Sequence, residues 1–244
     1  MRTGLFVILV FSLAVFQAHG RSVLECRPAG FDFGAVATGG TLVQDFWLHA
    51  TGDMPVRVTD IKTGCSCVAV LVVDSSQGRV LQPGDSLQLR AAWQTRADTG
   101  MIARTLLVFS EGQADPLHIS LQAVAGRTST EAPVKLGPAS LQLSQNRSAQ
   151  RKPGRVRLSN QTDGELAIRR IGPEPPELSL QIPESLPAGT TQIATVAATD
   201  RYKTEDFEQS ITLEFSGPNK RAYRMTLPVV KGDFSFRPHG STPR

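Results

Sequence analysis

Three cysteines, Cys26, Cys65 and Cys67, carry most of the chemical capacity of this 244-residue chain. Two of them flank a single serine, as Cys65-Ser66-Cys67. In an extended segment, residues two apart face the same side with α-carbons roughly 6.5–7 Å apart. That spacing is at the outer edge of disulfide reach, so a Cys65–Cys67 bond requires a turn, and a strained bond is more easily reduced. The same two thiolates could hold a soft metal such as Cu(I) or Zn(II), with Cys26 as a third ligand. They could also exchange with other thiols, with Cys26 as the resolving thiol, although Lys62 is the one nearby cation in sequence and gives modest support to a thiolate. The plainest outcome in an oxidising compartment is a disulfide from Cys26 to Cys65 or Cys67. It would staple the N-terminus and leave the remaining cysteine as a small buried hydrophobe. An odd cysteine could instead join the chain to a partner. Closed zinc sites need four ligands. His49 and His118 alternate with apolar neighbours, so they are expected to point outward from different sheets. No metal and no cofactor is therefore expected, with the Cys65, Cys67 and Cys26 site as the alternative.

No other constellation suggests catalysis. The chain has no Gly-x-Ser-x-Gly elbow, phosphate loop or His-Glu-x-x-His. Its carboxylates are scattered, and no enzyme is expected. Charge is uneven: residues 21–126 sum to −2 and residues 127–244 to +5. In the basic part, Arg155 and Arg157 alternate with Val156 and Leu158 and should share one solvent face, with Arg151 and Lys152 close by in sequence. This is the expected surface for an anionic partner. Aromatic residues are 6% of the chain and fall mostly at inward positions, which argues against nucleic acid. Asn146-Arg147-Ser148 and Asn160-Gln161-Thr162 fit the glycosylation pattern.

The elements that must position these residues follow from periodicity. Arg2, the apolar run Leu5 to Phe16 and the small residues of Ala18-His19-Gly20 form an export signal over residues 1–20, with cleavage expected before Arg21. No later segment could cross a bilayer as a helix, so the cleaved chain is not expected to be an integral membrane protein. It should reside in the periplasm, the cell envelope or outside the cell.

The rest is a repeat. Leu48, Val56, Val58 and Ile61 recur as Leu158, Leu166, Ile168 and Ile171 at a constant offset of 110. Leu107, Phe109, Ile119 and Leu121 recur as Leu213, Phe215, Met225 and Leu227 at an offset of 106. A unit of this size fits one β-sandwich. Alternation predicts strands over 31–36, 42–50, 56–61, 68–73, 86–93, 102–109 and 117–124. The fold class is therefore all-β: two tandem immunoglobulin-like β-sandwich domains, 21–126 and 137–232, joined by a linker over 127–136 and followed by a flexible tail over 233–244.

Four motifs in order, Phe31-Asp32-Phe33-Gly34, the Thr51-Gly52-Asp53 turn, Cys65-Ser66-Cys67 and Pro83-Gly84, resemble the bacterial domain of unknown function 1573. That family is related in fold to Hydin-type and major-sperm-protein-type immunoglobulin-like modules. The resemblance covers residues 31–126, and the second repeat is a diverged copy. Ala50 stands where the family usually has Asn, Ser66 where it has Gly and Val68 where it has Thr. In the second repeat Pro175 and Glu177 fall near the places of the two cysteines. The resemblance implies an exported immunoglobulin-like module and no agreed activity. The function expected is a non-enzymatic structural or protein-interaction module of the cell envelope, bound to another envelope protein or an anionic envelope polymer. The alternative is a copper- or thiol-handling envelope protein using Cys65 and Cys67.

Overall fold

The computed structural model describes residues 20–73, 80–126, 132–143, 153–217 and 222–232. The stretch expected to be an export signal up to residue 19, most of the expected linker, Asn146, Arg151, Lys152 and the expected tail lie outside them.

Alternating apolar residues build the first half as two layers. One is a four-stranded antiparallel sheet of β1 (Leu24–Arg27), β3 (Thr41–Ala50), β7 (Ser86–Gln94) and β5 (Val68–Val72), in the order β1-β3-β7-β5. The other holds β2 (Gly30–Val36), β9 (Leu117–Ala125), β8 (Gly100–Ser110), β4 (Val56–Thr63) and β6 (Val80–Leu81), in that spatial order. Phe33, Phe46, Leu48, Leu89, Trp93, Leu106 and Leu121 interdigitate between the layers. Full burial of each such side chain stabilises by about 1.5–3 kcal/mol, the largest favourable contribution here. All seven strands expected in this half are present, within one or two residues. β1 and β6 were not expected, because runs of 4 and 2 residues are too short to show alternation.

The second half repeats this arrangement strand by strand. One sheet is β10 (Val134–Gly137), β12 (Gly154–Asn160), β16 (Thr191–Ala198) and β14 (Leu178–Gln181), in the order β10-β12-β16-β14. The other contains β11 (Leu141–Leu143), β18 (Ala222–Lys231), β17 (Phe207–Ser216), β13 (Leu166–Ile171) and β15 (Ser185–Leu186). It has its own core, which includes Leu158, Leu178, Val196, Leu213, Phe215 and Leu227. One boundary differs from expectation: β10 begins at Val134, inside the stretch read as linker. Its Val134 and Leu136 alternate with Lys135 as a strand does, but four residues beside Thr, Ser and Pro look like loop in sequence.

The two halves are not beads on a string. β2 pairs with β9 and then, through Ala35 opposite Met225, in parallel with β18. One sheet thus runs β15-β13-β17-β18-β2-β9-β8-β4-β6 through both halves, with β11 also on β18. Gly34 makes this crossing feasible. It sits at φ +66 within the irregularity between Asp32 and Ala35, and any Cβ there would lie 2.3 Å from the Arg224 carbonyl oxygen. The Asp32 carboxylate accepts from the Gly34 N–H at 2.8 Å, and Thr226 donates its hydroxyl to the Phe33 carbonyl at 2.6 Å. The Phe-x-Phe-Gly motif therefore supplies a core aromatic and, one residue on, the bend that joins the sheets. Among the described residues no helix is long and apolar enough to cross a membrane.

Candidate functional site

The two β-sandwich halves use the same backbone turn for different chemistry. In the first half it lies between β4 and β5. Val68 N–H donates to Cys65 O at 3.4 Å and Gln94 N–H to Cys67 O at 2.8 Å. This turn draws the Cys65 and Cys67 α-carbons to 5.2 Å, and the two sulfurs are bonded to each other. The turn that a direct bond requires is thus present. Cys65 is half-buried, Ser66 is exposed and Cys67 is buried.

The expected staple from Cys26 is not formed. Cys26 is a buried free thiol whose Sγ donates to the Pro28 carbonyl at 3.2 Å, and burial pushes its pKa up to about 12. Sheet order gives the reason. β1 and β5 are opposite edges of one sheet. Cys26 lies beside Leu48 and so level with Leu87, whereas Val68 is level with Trp93. Three strand spacings and six residues along the strand separate them, on the order of 24 Å. A disulfide needs α-carbons within about 7 Å. The same separation overturns Cys26 as a third metal ligand or resolving thiol beside Cys65 and Cys67. His49 and His118 lie on β3 and β9, in different sheets, as expected.

A residue that sequence reasoning missed completes the cysteine site. Arg104 on β8 directs its Nε to Cys67 Sγ at 3.2 Å and its Nη2 to Asp98 at 3.0 Å, while its guanidinium carbon lies 5.5 Å from the Trp93 ring centre. Lys62, the cation singled out by sequence proximity, instead pairs with Asp60 at 3.6 Å and lies over Phe109. The Arg104–Cys67 contact spans 37 residues and depends on how the sheets face each other, so no local pattern signals it.

In the second half the corresponding turn lies between β13 and β14. Leu178 N–H donates to Pro175 O at 3.0 Å and Thr199 N–H to Glu177 O at 2.9 Å, the same two bonds as at Cys65 and Cys67. Glu177 takes the place of Cys67, and its carboxylate leaves its own half. It accepts from Arg90 Nη1 of β7 at 2.7 Å and from Gln209 Nε2 at 2.9 Å. Arg90 also forks onto Asp45, at 2.7 and 2.9 Å. Burial alone would lower the Arg90 pKa; the hydrogen bonds and charges of Asp45 and Glu177 outweigh it and raise the pKa. Nearby, Ser210 Oγ accepts from the Val43 N–H at 2.8 Å, a further bond between the halves.

Arg155 and Arg157 are exposed on β12 while Val156 and Leu158 are buried, so both arginines share the outer face as expected. Register adds Lys135, which is exposed and opposite Ser159 on the neighbouring strand. Thr195 lies opposite Arg155, and Ile193 opposite Arg157. None of the four strands of this sheet contains an Asp or Glu. Among the described residues Lys135, Arg155 and Arg157 make no ion pair. The corresponding sheet of the first half carries Glu25 and Asp45. Asn160, one of the two glycosylation-pattern asparagines, is buried and hydrogen-bonded, so its amide is unavailable in the folded chain.

Residues 24–125 match the model of the family described as "Protein of unknown function (DUF1573)". No curated protein matches the chain. Similar solved structures include a protein of unknown function from Porphyromonas gingivalis W83, 16% identical over 85% of this chain and 99% of that one, with a TM-score of 0.31. PapD-like domain 7 of human CEP192 is 14% identical over 51% of this chain and 96% of that one, with a TM-score of 0.32. The VesB protease of Vibrio cholerae is 11% identical over 43% of this chain with a TM-score of 0.34, and the chain spans 31% of that protease.

Proposed function

Starting from the match of residues 24–125 to the DUF1573 family model, we propose that the chain is an exported, non-enzymatic interaction module of the cell envelope that presents one β-sheet face to an anionic envelope polymer. The observation that supports this reading best is the acid-free outer sheet of the second half, with Lys135, Arg155 and Arg157 free of ion pairs among the described residues. Each Lys or Arg held near an anionic surface contributes about 1 kcal/mol, so three converging cations make a weak but usable site. The β2–β18 pairing and the Arg90–Glu177 bond hold this face in a fixed relation to the first half. That arrangement suits a spacer or scaffold in the periplasm, the envelope or the extracellular space, with another envelope protein as the further partner.

The test is co-sedimentation of the mature chain with lipopolysaccharide vesicles across a salt series. Binding that weakens steeply with salt is expected. The Arg155→Gln/Arg157→Gln double variant should bind on the order of tenfold more weakly while melting as the parent does. Equal binding by parent and variant would defeat the reading.

A further inference from the structure

We propose that Cys65–Cys67 is a polarised exchange disulfide: an incoming thiolate attacks Cys65, and Arg104 receives Cys67 as the departing thiolate. The proposal concerns a site apart from the cationic sheet face, and neither depends on the other.

Two independent features set the direction. The first is access. Cys65 is half-buried at the rim of the turn, whereas Cys67 is buried, 5% exposed, beneath it. A nucleophile from solvent therefore meets Cys65 first. The second is charge. Exchange is faster when the leaving sulfur is the better-stabilised thiolate. Arg104 directs its Nε to Cys67 Sγ at 3.2 Å, and its side chain is held by Asp98 and by the face of Trp93. Asp98 offsets part of the guanidinium charge, but it occupies Nη2 and leaves Nε directed at the sulfur. A hydrogen bond from a charged donor to a charged acceptor is stronger than one between neutral groups. Among the described residues no cationic side chain contacts Cys65, so the two sulfurs are unequal as leaving groups.

The step balances with a thiol as co-reactant. The incoming thiolate bonds to Cys65 Sγ, the Cys65–Cys67 bond breaks, and its electron pair stays on Cys67 Sγ beside Arg104. A second thiolate then attacks the incoming sulfur of the mixed disulfide and expels Cys65 as a thiolate. Two thiols are oxidised to one disulfide, the cysteine pair is reduced, and the two thiol protons pass to solvent or to the cysteines. Cys26 takes no part, being some 24 Å away by strand geometry.

The experiment treats the folded mature chain with reduced glutathione, quenches with acid at intervals and locates the adduct by peptide mass. The adduct is expected on Cys65, and Arg104→Gln should slow the reduction on the order of tenfold, with Arg104→Lys recovering much of the rate. After full reduction, a pH titration of thiolate absorbance near 240 nm should show one thiol ionising below the ordinary range, and R104Q should move it upward. Thermal melting followed by far-ultraviolet circular dichroism checks that each variant is folded. An adduct on Cys67, or equal rates and titrations for parent and R104Q, overturns the polarity while leaving an exchange site. Resistance of the folded chain to glutathione overturns the site altogether. Neither result bears on polymer binding by the cationic face.

Discussion

The β4–β5 turn of the first half and the β13–β14 turn of the second share a backbone and differ in what their third residue does. At Cys67 the side chain turns toward its own half, bonds to Cys65 and meets Arg104. At Glu177 it reaches out of its half and seizes Arg90 of the other. Both turns are fixed by the same two main-chain hydrogen bonds, so the frame persists without either side chain. A duplicated frame can therefore carry a sulfur site in one copy and a strut in the other. The hairpin between β12 and β13 shows a complementary divergence. Asn160 is buried and donates to the carbonyls of Gly164, Leu186 and Pro187 while accepting from the N–H and hydroxyl of Thr162. In the first half the equivalent residue is Ala50, and main-chain bonds from Ala50 to Asp85 and from Gly84 to Ala50 do the work alone. The buried asparagine thus stands in the half without the cysteines, and alanine in the half that has them.

The largest effect should come from Asn160→Ala. It strands buried carbonyls in the second half, and chemical denaturation should show a loss of about 3 kcal/mol. If the second half tolerated it as the first half tolerates Ala50, the hairpins would be equivalent after all. Next comes Glu177→Ala, which leaves Arg90 with Asp45 alone. A loss of about 2 kcal/mol is expected, below the range for fully buried pairs because Arg90 keeps some solvent contact. A double-mutant cycle with Arg90→Ala isolates the coupling between halves. The Cys65→Ser/Cys67→Ser variant should cost less, about 1.6 kcal/mol or under, since cross-linking so short a loop removes little chain entropy. A larger loss would make the disulfide structural first, and the contrast between the two turns would shrink.

The smallest effect depends on pH. Burial raises the Glu208 pKa against the opposing hydrogen bond from Thr41, and its Oε2 is buried without a partner among the described residues. A carboxyl whose folded pKa lies above its unfolded value favours folding below the unfolded pKa, and that advantage is lost as pH rises through the folded pKa. Glu208→Gln should therefore melt above the parent at neutral pH, and the gap should close on acidification. Glu214 has the opposite sign. Hydrogen bonds from Arg169 and Arg224 lower its pKa, so its contribution is present at neutral pH and lost as pH falls through the folded pKa.

Strand positions and repeat offsets were readable because half-buried strands alternate. Leu48 and Leu158, or Leu81 and Leu186, sit at matching places in matching strands. The cysteine pair was readable as chemistry, but its partners were not. Sequence order does not reveal that β1 and β5 are opposite edges, so Cys26 looked like a partner for Cys65 or Cys67. Nor does it reveal that β8 faces the β5 turn, so Arg104 was passed over for Lys62. Glu177 read as a mere departure from Cys because its meaning lies in Arg90, 87 residues away. Arg155 and Arg157 were legible from alternation alone; Lys135 required the register of β10 against β12.

The sheet that joins the halves also limits self-association. A lone sandwich half would expose β2 in one case and β18 in the other, each with main-chain donors and acceptors facing water. Pairing them to each other through Ala35 and Met225 covers part of both. At the two ends of the fused sheet lie β6 and β15, each of 2 residues, paired with the first two residues of β4 and β13. So short a stub gives an approaching strand almost no ladder to extend.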